Sequence, residues 1–494
     1  MNAGDLTGQD VERHPSGVRA AIVAMKPGNA GGAKGGREAN ASSERLGEDK
    51  CSGVPTADKQ GQEAQWRCHD AERGVWSEKM LAALESGVKG NKWFSLIDKV
   101  YAERTVELAW EKVRSNAGVS GVDGITVEHF GKESRERLHE ARRQLMGGTY
   151  QPKPLKRAWI PKPGSAEKRP LGIPTVRDRV VQTALKMVME PIFEREFASQ
   201  SYGYRPGRSG HGALRRVDEL LKQGYVHVVD IDIQGYFDAI PHGRLMEKVG
   251  EHVADGRVLG LIEAFLKQGV MEGGESQEVE GGTPQGGVIS PLLANIYLNP
   301  LDWLMEQAGL QMVRYADDMV VLCRDIEMAS RAMEKLQEWM EAAGLELNGQ
   351  KTRVVDMAQV GNHFDFLGYR FWRGKGGNLR RFIRPKSRNK LRKRLKPLTR
   401  RTSGESLQAI VAVVNPILKG WYGYFKHACA DALDETDGWI RGRLRSILRK
   451  RHGGQGRARG RDHQRWGNHY FTELGLLCLQ ETRASEIASL RHGA

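Results

Sequence analysis

Cysteine is scarce in this chain and never paired. Its five cysteines, Cys51, Cys68, Cys323, Cys429 and Cys478, include no Cys-x-x-Cys spacing, which excludes a disulfide framework or a thiolate zinc site as organising features. Long apolar runs are missing too, since none approaches the roughly 18 residues that cross a bilayer. The opening Met1-Asn2-Ala3-Gly4-Asp5 has neither the basic start nor the apolar stretch of a secretory signal, so the expected location is the cytoplasm, with no membrane partner. Negative charge is in deficit: 61 Asp and Glu stand against 76 Lys and Arg, a formal net charge of +15. Such a balance favours a polyanionic partner such as nucleic acid. From Arg373 to Arg401 no acidic residue occurs at all. No internal repeat is present.

The sequence divides by composition. Residues 1–75 are rich in Gly, Ala, Ser and charge, include Gly31-Gly32-Ala33-Lys34-Gly35-Gly36, and carry no sustained apolar period, so a largely disordered leader is expected. Ordered structure is predicted to begin near Ser77, where Met80, Leu81, Leu84 and then Trp93, Phe94, Ile97, Val100 and Tyr101 recur at helical spacing. A Pro- and Arg-rich stretch spans Tyr150 to Arg208, and within it the apolar period predicts a helix over Arg177–Phe197. Two regions read as strands: residues 226–233, and the pair Met312–Tyr315 and Met319–Cys323. After Arg370 the composition turns basic, and Ile410, Val413, Val414, Ile417, Leu418, Trp421 and Tyr424 mark helix beyond it. The expected divisions are therefore 76–370, 371–452 and a short basic extension over 453–494.

Two groups of acidic residues stand where the predicted strands end. Asp317 and Asp318 lie between two strongly β-forming runs, at the tip of a predicted hairpin. Crowding two carboxylates in an apolar setting is costly unless a cation compensates, and Mg²⁺ is the usual oxygen-seeking choice. Asp232 closes the other strand, with Asp230 two residues earlier on the same face and Asp238 six later. A strand end beside such a hairpin could hold two metal ions roughly 3.5–4 Å apart, the arrangement that activates a 3′ hydroxyl and stabilises departing pyrophosphate. An isolated Asp-Asp pair would merely satisfy turn propensity; its surroundings argue otherwise.

Tyr315-Ala316-Asp317-Asp318 resembles the Tyr-x-Asp-Asp signature of reverse transcriptases, and Asp232-Ile233-Gln234-Gly235-Tyr236-Phe237-Asp238 resembles the first catalytic motif of their group II intron branch. Further motifs follow the family's order: Gly121-Val122-Asp123-Gly124, Ile160-Pro161-Lys162-Pro163, Arg169-Pro170-Leu171-Gly172-Ile173-Pro174-Thr175, Ser201-Tyr202-Gly203-Tyr204-Arg205-Pro206-Gly207-Arg208-Ser209, Thr283-Pro284-Gln285-Gly286-Gly287-Val288-Ile289-Ser290-Pro291 and Phe366-Leu367-Gly368-Tyr369. The resemblance is to bacterial group II intron-encoded proteins and covers roughly residues 90 to 490. It implies an α/β right-hand polymerase: fingers and palm over 76–370, the palm an antiparallel sheet with helices on one face, then an α-helical thumb or maturase domain over 371–452. It also implies that Asp232, Asp317 and Asp318 are catalytic acids that, with Ile233, hold two Mg²⁺ ions, Mn²⁺ being an alternative. Phe237 matches the bulky side chain that excludes a ribose 2′ hydroxyl. Gln285 and Gly286 match the lining of the nucleotide pocket, Lys162 and Arg169 the grip on the triphosphate of a dNTP, and Lys351 a lysine that protonates pyrophosphate as it leaves. Asp238 matches none of these positions and reads as structural.

The one-sign stripe after Arg373 suits phosphate contacts, with Arg388, Lys390, Arg392, Lys393 and Arg394 as nucleic-acid-binding candidates. Val414 to Phe425 resembles the maturase domain, which binds intron RNA; its aromatic residues are expected to pack rather than stack on bases. Nothing after Gly453 matches the paired cysteines of a His-Asn-His endonuclease, so that activity is not expected, and His463 and His469 read as surface residues. The expected partners are intron RNA as template, a DNA primer or target, and dNTPs, with the protein joining the nucleoid when it acts on DNA. Monomer and dimer both stay open. A host-domesticated reverse transcriptase serving defence or repair, and a binding-only maturase, are the alternatives.

Overall fold

The computed structural model describes residues 74–161, 168–277 and 281–492. The leader expected over 1–75 lies almost wholly outside the described residues, as does Lys162. In chain order the described strands are β1 (Leu155–Pro161), β2 (Lys168–Ile173), β3 (His227–Asp232), β4 (Val270–Glu272), β5 (Glu275–Gln277), β6 (Gln311–Tyr315), β7 (Asp318–Cys323), β8 (Arg353–Asp356), β9 (His363–Phe366), β10 (Tyr369–Arg373) and β11 (Leu379–Ile383). They form three sheets, ordered β2-β1-β4-β5, β6-β7-β3-β8 and β11-β10-β9.

The central sheet, β6-β7-β3-β8, is antiparallel throughout. Its side chains alternate between two cores, as a period of two demands. Val229, Ile231, Met312, Met319, Val321 and Cys323 join one core with the helices Ser290–Gln307 and Ile326–Ala343. Val228, Val313, Val320, Leu322 and Val355 join a second core with Ala213, Leu214 and Val217 of the helix Gly210–Lys222 and with the C-terminal helices. Helices therefore cover both faces, not one. This corrects the simpler palm expected from sequence, and it explains why the strands read as continuous apolar runs.

Val176–Glu194 forms the predicted central helix, started by Thr175, whose hydroxyl accepts from the Asp178 N–H. Ahead of it, helical spacing misleads. Met80, Leu81 and Leu84 do lie on a helix, Glu78–Ser86, capped by Ser77, but of the stretch 93–101 only Ile97–Val100 is helical; Trp93 is tied by backbone hydrogen bonds to His252 and Ala254, and Phe94 is 70% exposed. Tertiary pairing overrides local period at that point. The compositional boundary at residue 370 falls inside β10, whose partner β11 carries Arg380 and Arg381. Continuous helix begins only with Pro385–Leu395, followed by Leu407–Phe425, Ala430–Arg451 and three shorter or terminal helices. Among the described residues no helix is long and apolar enough to cross a membrane.

Candidate active site and nucleic-acid surface

The sheet register assembles the acids. Asp232, the last residue of β3, lies directly across from Asp318, the first of β7, which places their Cα atoms about 4.5–5.5 Å apart. Tyr315 and Asp318 close the β6–β7 hairpin, so Ala316 and Asp317 form its two-residue loop. Of the two neighbouring acids, Asp317 alone sits in the loop. Ala316 takes φ +58°, the positive-φ geometry that tight hairpins favour and alanine does not. The conformation is braced from behind. Arg314, wholly buried, donates through one guanidinium nitrogen to the Ala316 carbonyl at 3.0 Å and to Asn295 at 2.9 Å, and through Nε to Asp302 at 2.7 Å. A side chain on Gly203 would stand 2.3 Å from the Ala316 nitrogen, so only glycine permits that approach. The Arg314–Asp302–Asn295 brace escaped the sequence reading, although a charged residue in the apolar run Met312–Tyr315 was a visible signal.

Burial disfavours charge on these acids. Asp318 is pushed up to about 7, first by burial and then by the neighbouring Asp317 charge, with the Leu367 N–H opposing at 3.4 Å. Asp317 is raised by burial and by Asp232, with Arg169 and Arg314 among the opposing influences. A divalent cation with oxygen ligands relieves this kind of strain, so the donor set suits Mg²⁺. Even so, among the described residues no group of three or more His, Cys, Asp or Glu side chains converges on one ion position. Lys351 Nζ instead holds Asp232 Oδ2 at 2.8 Å. Magnesium commonly takes one or two carboxylates and completes its shell with water and substrate phosphate. Ile233 is buried, paired in a bridge with Leu347.

Of the other expected site residues, Phe237, Gln285, Gly286 and Arg169 are described. Phe237 is half-buried, edge-on to Tyr236 with ring centroids 5.5 Å apart. Its carbonyl accepts from the Thr283 N–H at 2.6 Å, which draws the Thr283–Gly286 segment alongside. Gln285 donates to Asp238 at 3.1 Å through its side chain and accepts from the Gly172 N–H at 2.8 Å through its carbonyl. Gly286, at φ +114°, has the Gly172 carbonyl 2.4 Å from where a Cβ would sit, a second position closed to side chains. Leu155, Arg157, Pro170, Gly172, Asp238 and Gln285 line the cleft between this segment and the β1–β2 sheet. Asp238 thus shapes that cleft. Arg169 is exposed at the start of β2.

The basic stripe divides in two. Arg388 and Arg392 turn inward to Glu435 on the next long helix, Arg392 at 3.0 Å and stacked over Trp439. Lys390, Lys393 and Arg394 face solvent, and among the described residues they have no acidic partner within 4 Å. A stripe of one sign in sequence is therefore half structural. Tyr422 and Phe425 are buried and Tyr424 is 36% exposed, so the aromatic run mainly packs. His463 and His469 are exposed.

Comparison with known proteins identifies the family. Residues 160–371 match the reverse transcriptase (RNA-dependent DNA polymerase) family, and residues 388–466 match the group II intron maturase-specific domain. The chain is 34% identical over 296 residues to Protein YkfC of Escherichia coli (strain K12), covering 52% of this chain and 77% of that one. It is 36% identical over 253 residues to group II intron-encoded protein LtrA of Lactococcus lactis subsp. cremoris, covering 50% of this chain and 41% of LtrA, so the match spans less than half of that relative. A solved telomerase from Candida albicans, with a fragment of telomeric RNA, aligns over 66% of this chain and 64% of its own at 13% identity and a TM-score of 0.37, too loose a likeness to bear on function. With a reverse transcriptase match, a maturase-specific match and a relative covered over three quarters of its length, the chain belongs to the group II intron-encoded reverse transcriptase/maturase family.

Proposed function

We propose that this chain copies intron RNA into DNA by two-metal nucleotidyl transfer and binds the same RNA to assist its splicing. The observation that carries the reading is the register that sets Asp232 opposite Asp318 with Asp317 in the adjoining loop. Asp232, Asp317 and Asp318 would hold the ions, joined by the Ile233 carbonyl. The ions would supply Lewis-acid stabilisation to the attacking and leaving oxygens. Lys351, salt-bridged to Asp232, would give a proton to pyrophosphate as it leaves. Arg169 and Lys162 would grip the triphosphate. Phe237 would close the space a 2′ hydroxyl needs, with Gln285 and Gly286 lining the nucleotide pocket. Lys390, Lys393 and Arg394 offer the free charge for RNA phosphates, and splicing chemistry would belong to the RNA.

The test is extension of a DNA primer on an RNA template with Mg²⁺ and dNTPs, comparing wild type with Asp317→Ala. Extension by the wild type alone, with RNA binding equal in both, supports the reading. RNA binding without extension by either points instead to a binding-only maturase.

A further inference from the structure

The Asp318 carboxylate receives one hydrogen bond from elsewhere among the described residues, the Leu367 N–H at 3.4 Å. That donor belongs to an uncommon turn. Between β9 and β10, Leu367 takes φ +48° and Gly368 φ +83°, and a leucine in the left-handed region persists only when its surroundings hold it. What holds it lies in the C-terminal region. Tyr424, on the helix Leu407–Phe425, donates its hydroxyl to the Leu367 carbonyl at 2.8 Å. The Gly368 carbonyl accepts from the Arg384 N–H at 3.0 Å and the Ser387 hydroxyl at 3.2 Å. Tyr424 is itself clamped: its ring stacks on His211 with centroids 5.3 Å apart, and its carbonyl accepts from the Tyr369 hydroxyl.

These contacts make a short chain from the RNA-facing region to a metal-site acid. We infer that Tyr424 is a positioning residue, whose hydroxyl fixes the Leu367 turn so that its N–H orients the Asp318 carboxylate. The inference rests on the polymerase reading above. It gives the C-terminal helices a part in DNA synthesis beyond holding RNA, because a shift of the helix Leu407–Phe425 moves the donor at Asp318. Tyr424 touches neither substrate nor metal in this role.

Tyr424→Phe keeps the ring and its stacking and removes only the hydroxyl. In primer extension with the full-length protein it should lower kcat by about three- to tenfold, the worth of one hydrogen bond expressed in the transition state. KM for the dNTP should stay within about twofold, because substrate binding is not the step affected. The Mg²⁺ concentration for half-maximal activity should rise, while RNA affinity and thermal midpoint match wild type. Ser387→Ala, which loosens the same turn from its other side, should shift the Mg²⁺ requirement in the same direction by less. An active wild type with an unchanged kcat and Mg²⁺ midpoint in Tyr424→Phe overturns the inference, as does a kcat loss matched by lost thermal stability with no Mg²⁺ shift. A wild type that extends no primer overturns the polymerase reading and this one with it.

Discussion

Two regions of the chain crowd charges of one sign, and they do so at opposite depths. In the β6–β7 hairpin, Asp317 and Asp318 are adjacent and largely buried, with Asp318 pushed up to about 7. On the helix Pro385–Leu395 five basic residues stand within seven positions, two paired to Glu435 and three facing water. Repulsion is expensive in the first setting, where the dielectric is low, and slight in the second, where solvent and salt screen it. The hairpin acids are relieved only by charge set at a defined place, and the turn that carries them is braced by Arg314 beneath it. The helix needs only a polyanion nearby. One substitution should therefore destroy the first device, and several should only weaken the second.

The largest effect expected is at the hairpin. Asp317→Ala should reduce primer extension by at least about a thousandfold, the loss of several kcal/mol of transition-state stabilisation, with RNA affinity unchanged in a filter-binding assay. Extension within tenfold of wild type would break the contrast. Next, replacing Lys390, Lys393 and Arg394 together by alanine should weaken RNA binding by about 10- to 100-fold at moderate salt and reduce the log–log salt slope by about 2. A loss with no change of slope would place the RNA elsewhere.

Smaller effects sharpen the comparison. Because the Asp318 value is raised on folding, the native state takes up a proton there. Stability from this source is full below the ordinary carboxylate range near 4 and is lost as pH rises towards about 7. In Mg²⁺-free buffer at pH 8, Asp318→Asn should thus stabilise the protein by about 1–3 kcal/mol in chemical denaturation and flatten that pH dependence; destabilisation would mean the carboxylate is not strained. The smallest effect is predicted for Glu435→Gln, which releases Arg388 and Arg392 and should raise RNA affinity about two- to threefold at low salt, fading at high salt. An equal gain at every salt concentration would point away from electrostatics.

Much of the site was legible because chemistry constrains residue type. Paired acids between two apolar strand runs and a basic run without acids carry their reason locally. The errors arose where contacts between distant segments decide. Trp93 and Phe94 follow a helical period, yet pairing with His252 and Ala254 draws the chain out straight. That Arg388 and Arg392 pair with Glu435, on a helix more than forty residues onward, was likewise invisible in the sequence. Tyr424 is one aromatic residue among several, and its reach to Leu367 exists only in three dimensions.

By itself the sequence determined the polymerase class through motifs that resemble one family, and it set Asp232 and the Asp317–Asp318 pair at strand ends, because strand alternation and turn chemistry act over a few residues. Tertiary structure alone decided which face each strand buries against, which basic side chains of the stripe face solvent, and that Tyr424 reaches the Leu367 turn. Those outcomes depend on sheet register and helix docking, where small free energies summed over many distant contacts select one arrangement among several that the local sequence allows.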